Sequence, residues 1–171
     1  MKPVIRFLDG METQEIGELP EPLLVKVNRS SATVKGGRRF SFSALSICGN
    51  KNGVVGYGYA KARQVPNAIE KAARDGRKHL MRVPVSSSGT IPHEVEGYYC
   101  SAKVRMLPAS PGTGIIACPS VRAVCEQAGI KDILTKSYGS TNPINLVKAT
   151  LHALSQLRTP EQVAQLRGIQ L

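Results

Sequence analysis

From Val55 to Tyr59 the chain alternates large residues with glycine: Val55, Tyr57 and Tyr59 share one face of a strand, and Gly56 and Gly58 leave the other bare. Glycine fills no space, so a bare strand face needs another backbone close against it. The next segment supplies one. Val65, Ile69, Ala72, Ala73, Gly76, Leu80 and Val83 fall on one arc at the helical period, and Pro66 suits a first turn. The arc is mostly small, which predicts a helix lying close against the sheet at Gly56 and Gly58. Lys71, Arg74, Lys78 and Arg82 gather on its outer side as a basic stripe. Tyr57 and Tyr59 could stack on bases, but two aromatics on one strand face read first as core.

Two strands precede this unit. Val25 and Val27 alternate with Lys26 and Asn28, the pattern of a strand with one buried face. Lys35-Gly36-Gly37-Arg38-Arg39 interrupts it as a loop. Phe40, Phe42 and Ala44 then alternate with Ser41 and Ser43, before the apolar phase slips to Leu45 and Ile47. Such a slip marks a bulge, or a strand covered on both faces. Asn50-Lys51-Asn52-Gly53 reads as a hairpin turn, with Asn-Gly supplying the positive φ angles.

Pro84-Val85-Ser86-Ser87-Ser88-Gly89 reads as a linker into a second unit. There, residues 90–95 and the alternation of Ala102, Val104 and Met106 predict strands. The run 108–114 leads into a helix on Val121, Val124, Cys125 and Ala128, ended by Gly129. Residues 130–136 read as a strand. Asn142-Pro143 is a cap and first-turn pair for a helix carrying Ile144, Val147, Leu151 and Leu154. Thr159-Pro160-Glu161 starts a short helix that Gly168 stops. The order β-β-β-α, then β-β-α-β-α, is an α+β chain without internal repeat. Cores of such small units supply only ~3–5 kcal/mol each, which predicts an apolar interface between them and a partner that completes them.

Charge is unevenly placed. Residues 1–22 sum to −3, residues 23–82 to +11 and residues 83–171 to +3, so one sixty-residue block equals the formal excess of the whole chain. A block of that sign seeks a polyanion, and nucleic acid comes before membrane because no strongly amphipathic helix carries large apolar anchors. The acidic segment 1–22, with Pro3, Pro20 and Pro22, reads as a mobile tail. No secretory signal, transit peptide or membrane-spanning run is legible, so the chain reads as soluble and retained where it is made. Cys48, Cys100, Cys118 and Cys125 form no CxxC pair and lie at no zinc-ligand spacing from His79, His93 or His152. They read as small, buried, reduced thiols, and no metal or cofactor is expected.

The segment Pro108-Ala109-Ser110-Pro111-Gly112-Thr113-Gly114 could cradle a phosphate ahead of a helix. It lacks the Gly-Lys-Ser/Thr of a nucleotide-binding loop, and the chain has no Asp or Glu between Glu96 and Glu126 to hold magnesium. No Gly-x-Ser-x-Gly elbow exists, and the glycines from Gly53 to Gly58 match no dinucleotide fingerprint. No active site is legible. By contrast, the glycine pair of the first loop permits close backbone approach, and its neighbours Lys35, Arg38 and Arg39 present a cation and two guanidinium forks to phosphates.

Taken in order, several motifs resemble the family of the fifth protein of the small ribosomal subunit, in its bacterial form. Gly36-Gly37-Arg38-Arg39-Phe40-Ser41-Phe42 and residues 49–69 carry the first half of the resemblance. Thr90-Ile91-Pro92-His93, residues 107–114, Val121-Arg122-Ala123-Val124, residues 128–132 and residues 136–145 carry the second. The resemblance covers roughly residues 23–155. Departures are local: Ala60 stands where the family usually has glycine, Gln64 where it has glutamate, and Cys118-Pro119 where two small residues are usual.

Composition and cap residues give an acidic tail over residues 1–22 and a short helix within 159–171, neither of which the resemblance covers. The resemblance implies a basic domain over 23–85 similar to double-stranded-RNA-binding domains and an α+β domain over 86–158. The second domain would have the family's own type of fold, with a left-handed β-α-β crossover. It implies a non-enzymatic constituent of the cytoplasmic small subunit that binds ribosomal RNA beside the fourth and eighth small-subunit proteins, helps form the channel through which messenger RNA enters, and supports decoding accuracy. The loop over residues 28–39 would reach into the neck RNA near the spectinomycin pocket. Candidate RNA-binding residues are Arg29, Lys35, Gly36, Gly37, Arg38, Arg39, Lys51, Asn52, Lys61, Arg63, Lys71, Arg74 and Lys78. Two other readings stand beside this one: a small-molecule kinase, some of which share the second domain's type of fold, and a free-standing RNA-processing or assembly factor.

Overall fold

The computed structural model describes Ile5, Phe7, Leu8 and residues 20–169. The first unit comprises β1 (Leu23–Val34), β2 (Gly37–Gly49), β3 (Val54–Ala62), α1 (Val65–Gly76) and β4 (Leu80–Arg82). The second comprises β5 (Val95–Tyr99), β6 (Ala102–Pro108), β7 (Ile115–Ile116), α2 (Pro119–Ala128), β8 (Ile133–Gly139), α3 (Pro143–Leu154) and α4 (Pro160–Arg167). One sheet has the order β1-β2-β3-β4, with every pair antiparallel. The other has the order β5-β6-β8-β7, in which β7 and β8 run parallel and α2 connects them. The α+β class read from the pattern holds.

The glycines of β3 seat α1 as expected. A methyl group at Gly58 would overlap the carbonyl oxygen of Ala72 and stand 2.5 Å from the amide nitrogen of Gly76. One at Gly56 would come within 2.9 Å of the Gly76 carbonyl oxygen. Ala44, Ala68 and Ala72 are fully buried in this contact. The helix ends at Gly76, however, and not at Val83. Leu80, Met81 and Arg82 pair with Gly56, Val55 and Val54 as a fourth strand. Their helical spacing was coincidental, since three residues fit either period and the free edge of β3 offered a ladder of hydrogen bonds. Lys78 and Arg82 therefore leave the helix face, although both stay exposed.

Residues 43–49 of β2 are all buried. That strand is covered on both faces, by α1 on one side and by residues of the second unit on the other. The register break lies on its partner, between Leu24 and Lys26 of β1. In the turn after β2 the positive φ angles belong to Lys51 (56°) and Gly53 (80°), and not to Asn52. Asn50 Oδ1 organises this turn by accepting from the amides of Asn52 (2.8 Å) and Val54 (3.0 Å).

That turn is also a joint. The amides of Lys51 and Gly53 donate to the carbonyls of Gln127 (3.0 Å) and Ala128 (2.9 Å), which the end of α2 leaves without helical partners. Leu45, Ile47, Val55, Met81 and Val83 belong to one continuous core with Val121, Val124, Ala128, Leu151 and Leu154. Lys148 of α3 spans the same junction, its Nζ 5.5 Å from the Tyr57 ring centre and 4.9 Å from that of Tyr99. Burial lowers the Lys148 pKa, but the Tyr57 and Tyr99 phenols outweigh it and the net shift is upward.

In the second unit, residues 90–94 are bends and irregular chain and not a strand, and pairing begins at Val95. The strand expected over 130–136 runs instead over Ile133–Gly139, because the amides of Lys131 and Asp132 are taken by the Gly89 carbonyl. The helix caps agree with the sequence. Gly129 ends α2 with φ 85°, the Asn142 side chain accepts from the Ile144 amide, and Thr159 and Gln162 form a capping box before α4. Cys48 and Cys125 are buried, and burial pushes the Cys125 thiol up to about 12. Cys100 departs from the expected burial: it is exposed, in a left-handed conformation (φ 52°) between β5 and β6.

Most of the expected mobile tail lies outside the described residues. Three of its members are docked. The Leu8 amide donates to the Leu80 carbonyl (2.7 Å), Phe7 packs edge-on against His79, and Ile5 packs against the main core. Among the described residues no helix is long and apolar enough to cross a membrane.

Candidate nucleic-acid interface

β1 and β2 outrun their sheet. β3 pairs with β2 only as far as Phe42, whereas β1 and β2 stay paired out to Val34 and Gly37. Residues 28–40 thus form a two-stranded ribbon, exposed along its whole length. The loop expected over residues 35–39 shrinks to Lys35 and Gly36, because Gly37, with φ 134°, closes a tight turn and lets Arg38 and Arg39 pair with Thr33 and Ala32. A methyl at Gly36 or Gly37 would meet nothing within 4 Å, so neither glycine is demanded by packing within the chain.

Consecutive strand residues face opposite ways, so Arg38 and Arg39 lie on different faces of the ribbon. Arg29, Phe40 and Phe42 share the face of Arg38, given that Arg29 is paired with Phe42. The Arg29 guanidinium lies 3.6 Å from the centre of the Phe40 ring.

At the foot of the ribbon a second basic group assembles. Lys61 and Arg63, at the end of β3, line one open depression with Lys71 of α1, Ser41 and Asn67. Further along α1 Arg74 is exposed, as are Arg77 and Lys78 in the turn that follows the helix. Arg77 joins this group only because the helix stops at Gly76; a continuing helix turns it away from the stripe. Lys51 and Asn52 stand apart. They lie at the far end of β2, about 40 Å from the ribbon tip at ~3.3 Å per strand residue, in the joint with α2. The structure therefore gathers most of the sequence-derived residues into a ribbon group and a helix group, and separates Lys51 and Asn52 from both.

Carboxylates are scarce on this surface. Only Glu70 and Asp75 fall within residues 23–82, and both are engaged. Glu70 pairs with Arg74 at 3.2 Å, and Asp75 accepts from the Tyr59 amide at 3.0 Å while lying 3.7 Å from His79. Among the described residues no other basic side chain of this block has a carboxylate within ion-pair distance. The second unit behaves differently: Lys103 pairs with Glu96 at 2.7 Å, and Arg105 pairs with Glu94.

The glycine-rich segment 108–114 does not feed directly into a helix, since β7 lies between it and α2. A carboxylate does reach it, contrary to the spacing in sequence. Asp132, buried, accepts from the Gly114 amide at 2.7 Å. It thereby occupies a backbone N–H that a phosphate would have needed. Tyr57 is half-buried against the core and stacked on His79, whereas Tyr59 is exposed.

A basic two-unit α+β chain of this kind matches two family profiles: ribosomal protein S5, N-terminal domain, over residues 22–84, and ribosomal protein S5, C-terminal domain, over residues 97–167. The class is thus a structural, non-enzymatic protein of the ribosome. A small ribosomal subunit protein uS5 from Rhodopirellula baltica is 56% identical over 146 residues, which cover 85% of this chain and 82% of that one. Proteins of the same name from Blochmanniella floridana (52% identical; 92% and 88% covered) and Baumannia cicadellinicola (50%; 91% and 92%) are similarly close. The chain belongs to the ribosomal protein S5 family of the small subunit, and hence to the cytoplasmic ribosome.

Proposed function

We propose that this chain binds small-subunit ribosomal RNA through the β1–β2 ribbon and the basic side of α1, borders the channel through which messenger RNA enters, and supports decoding accuracy. The observation that carries this reading is the exposed ribbon of residues 28–40, which holds Arg29, Lys35, Arg38 and Arg39 without a single acidic residue. An arm with no core to support and no internal charge compensation is suited to a polyanion, and folded RNA is recognised largely through its backbone. Lys61, Arg63, Lys71, Arg74 and Lys78 continue the surface. Lys51 and Asn52 belong to it only if the RNA wraps the far end of β2.

The first unit, a β-β-β-α-β arrangement with α1 on one sheet face, is proposed to be similar to double-stranded-RNA-binding domains. The parallel β7-α2-β8 unit is proposed to carry the left-handed crossover of the family. The division into a tail (1–22), a basic domain (23–85), a second domain (86–158) and a C-terminal helix (159–171) is part of the same proposal. So are the fourth and eighth small-subunit proteins as neighbours.

Changing Lys71, Arg74 and Lys78 together to Ala should flatten the log–log salt dependence of binding to small-subunit RNA. The loss should be roughly 1.5 units rather than the full three-contact value, because Arg74 already pairs with Glu70. Thermal stability should barely move, as all three are solvated. An unchanged slope would mean that this helix side faces water or protein.

Arg38 and Arg39 test the ribbon in cells. Changing both to Ala should raise misreading and alter spectinomycin sensitivity with the fold intact, because these side chains support no core. Changing both to Lys should restore charge but only part of the function, since Lys lacks the two-pronged guanidinium fork. If both versions match the original in misreading, drug sensitivity and subunit yield, the ribbon is only a solubilising hairpin.

A further inference from the structure

The ribbon carries one residue that charge does not explain. Phe40 is 42% exposed among serines, threonine, alanine and cations, whereas Phe42, two residues on and on the same face, packs into the Ala44, Ala68 and Ala72 cluster. An exposed aromatic ring on an arm that packs against no other element among the described residues contributes no core. It is nonetheless held in a defined arrangement: the Arg29 guanidinium lies over its face at 3.6 Å. Among the described residues Arg29 has no carboxylate within ion-pair distance, so the ring is its ordered partner.

We propose that Arg29 and Phe40 form a stacking platform for one unpaired nucleobase of the RNA. This rests on the RNA-binding reading above and adds the mode of contact, by base plane rather than by charge. A guanidinium on an aromatic face is a pre-assembled cation–π layer, and unpaired RNA bases stack on both kinds of surface. Because the pair is already ordered in the free chain, less side-chain freedom is lost when a base joins it. Arg38 lies two residues along the same strand face, about 7 Å away by strand geometry, where it can hold a phosphate of the stacked nucleotide or its neighbour. A base inside a duplex shows no free plane at this position, so the ligand is a nucleotide in a loop, bulge or junction.

The platform and the cations separate in a salt titration. The full chain is titrated with small-subunit ribosomal RNA at several salt concentrations, as wild type and as Phe40→Leu, Arg29→Lys and Arg38→Ala. Phe40→Leu keeps apolar bulk and removes the π face; it should weaken binding roughly five- to hundredfold, with the salt slope unchanged. Arg29→Lys keeps the charge and removes the plane, and should weaken binding in the same manner. Arg38→Ala should reduce the slope by about 0.7–0.9. In small subunits assembled with Phe40→Leu, chemical probing should find one or two bases newly reactive. Equal affinity of Phe40→Leu and wild type, or a loss that appears only as a changed slope, overturns the platform while leaving RNA binding in place. A wild-type chain without salt-dependent RNA binding overturns both readings.

Discussion

Gly58→Val will abolish the folded first unit, or cost more than about 4 kcal/mol in urea denaturation followed by circular dichroism. The new Cβ overlaps the carbonyl oxygen of Ala72 and crowds the Gly76 amide, both backbone atoms of α1 that cannot rotate aside. The helix would have to lift from β3, which would open the contact that buries Ala44, Ala68 and Ala72. Gly36→Ala is the control. A methyl there meets nothing within 4 Å, so the change should stay within about 0.5 kcal/mol. A loss below about 1 kcal/mol for Gly58→Val would mean that α1 does not sit on this strand.

Separating the chain into residues 1–86 and 87–171 should leave neither half with a cooperative unfolding transition at the stability of the whole. The cut exposes Leu45, Ile47, Val55, Met81 and Val83 on one side, and Val121, Val124 and Ala128 on the other. It also removes the Lys51 and Gly53 amides from the last carbonyls of α2. Units this small cannot spare that burial. Calorimetry of the intact chain should show one transition. Two independent transitions that match those of the halves would contradict a shared core.

The consequences of these tests differ because the first concerns a local fit and the second a long-range one. That difference also separates what was legible in the sequence from what was not. The seat of α1 could be read directly: Gly56 and Gly58 lie a few residues before the Ala-rich arc that covers them, and the absence of a Cβ is a fact about volume alone. Helix ends at Gly129, Asn142, Thr159 and Gly168 were equally legible, since a cap needs only its own φ angle or a side chain two or three residues from its target. The positive block follows from counting charges. Family resemblance of the motifs named the ribosome.

Other features depended on residues far away in the chain. Leu80–Arg82 fits a helix as well as a strand, and only the open edge of β3, more than twenty residues earlier, decided for the strand. The 50–53 turn became a joint because α2, over sixty residues later, brought its unpaired carbonyls to it. Asp132 reaches Gly114 across eighteen residues, a contact that the spacing of carboxylates along the sequence does not show. Phe40 and Phe42 are indistinguishable in pattern, yet one is exposed and the other packed, because the sheet narrows to two strands between them. By itself, then, the sequence determined most of the elements, the helix caps, the sign of the surface and the family, all of which depend on local volume, φ preference and charge. Only the tertiary structure decided which side chains are covered and which cations stand uncompensated, because burial and pairing are set by whatever the rest of the chain places nearby.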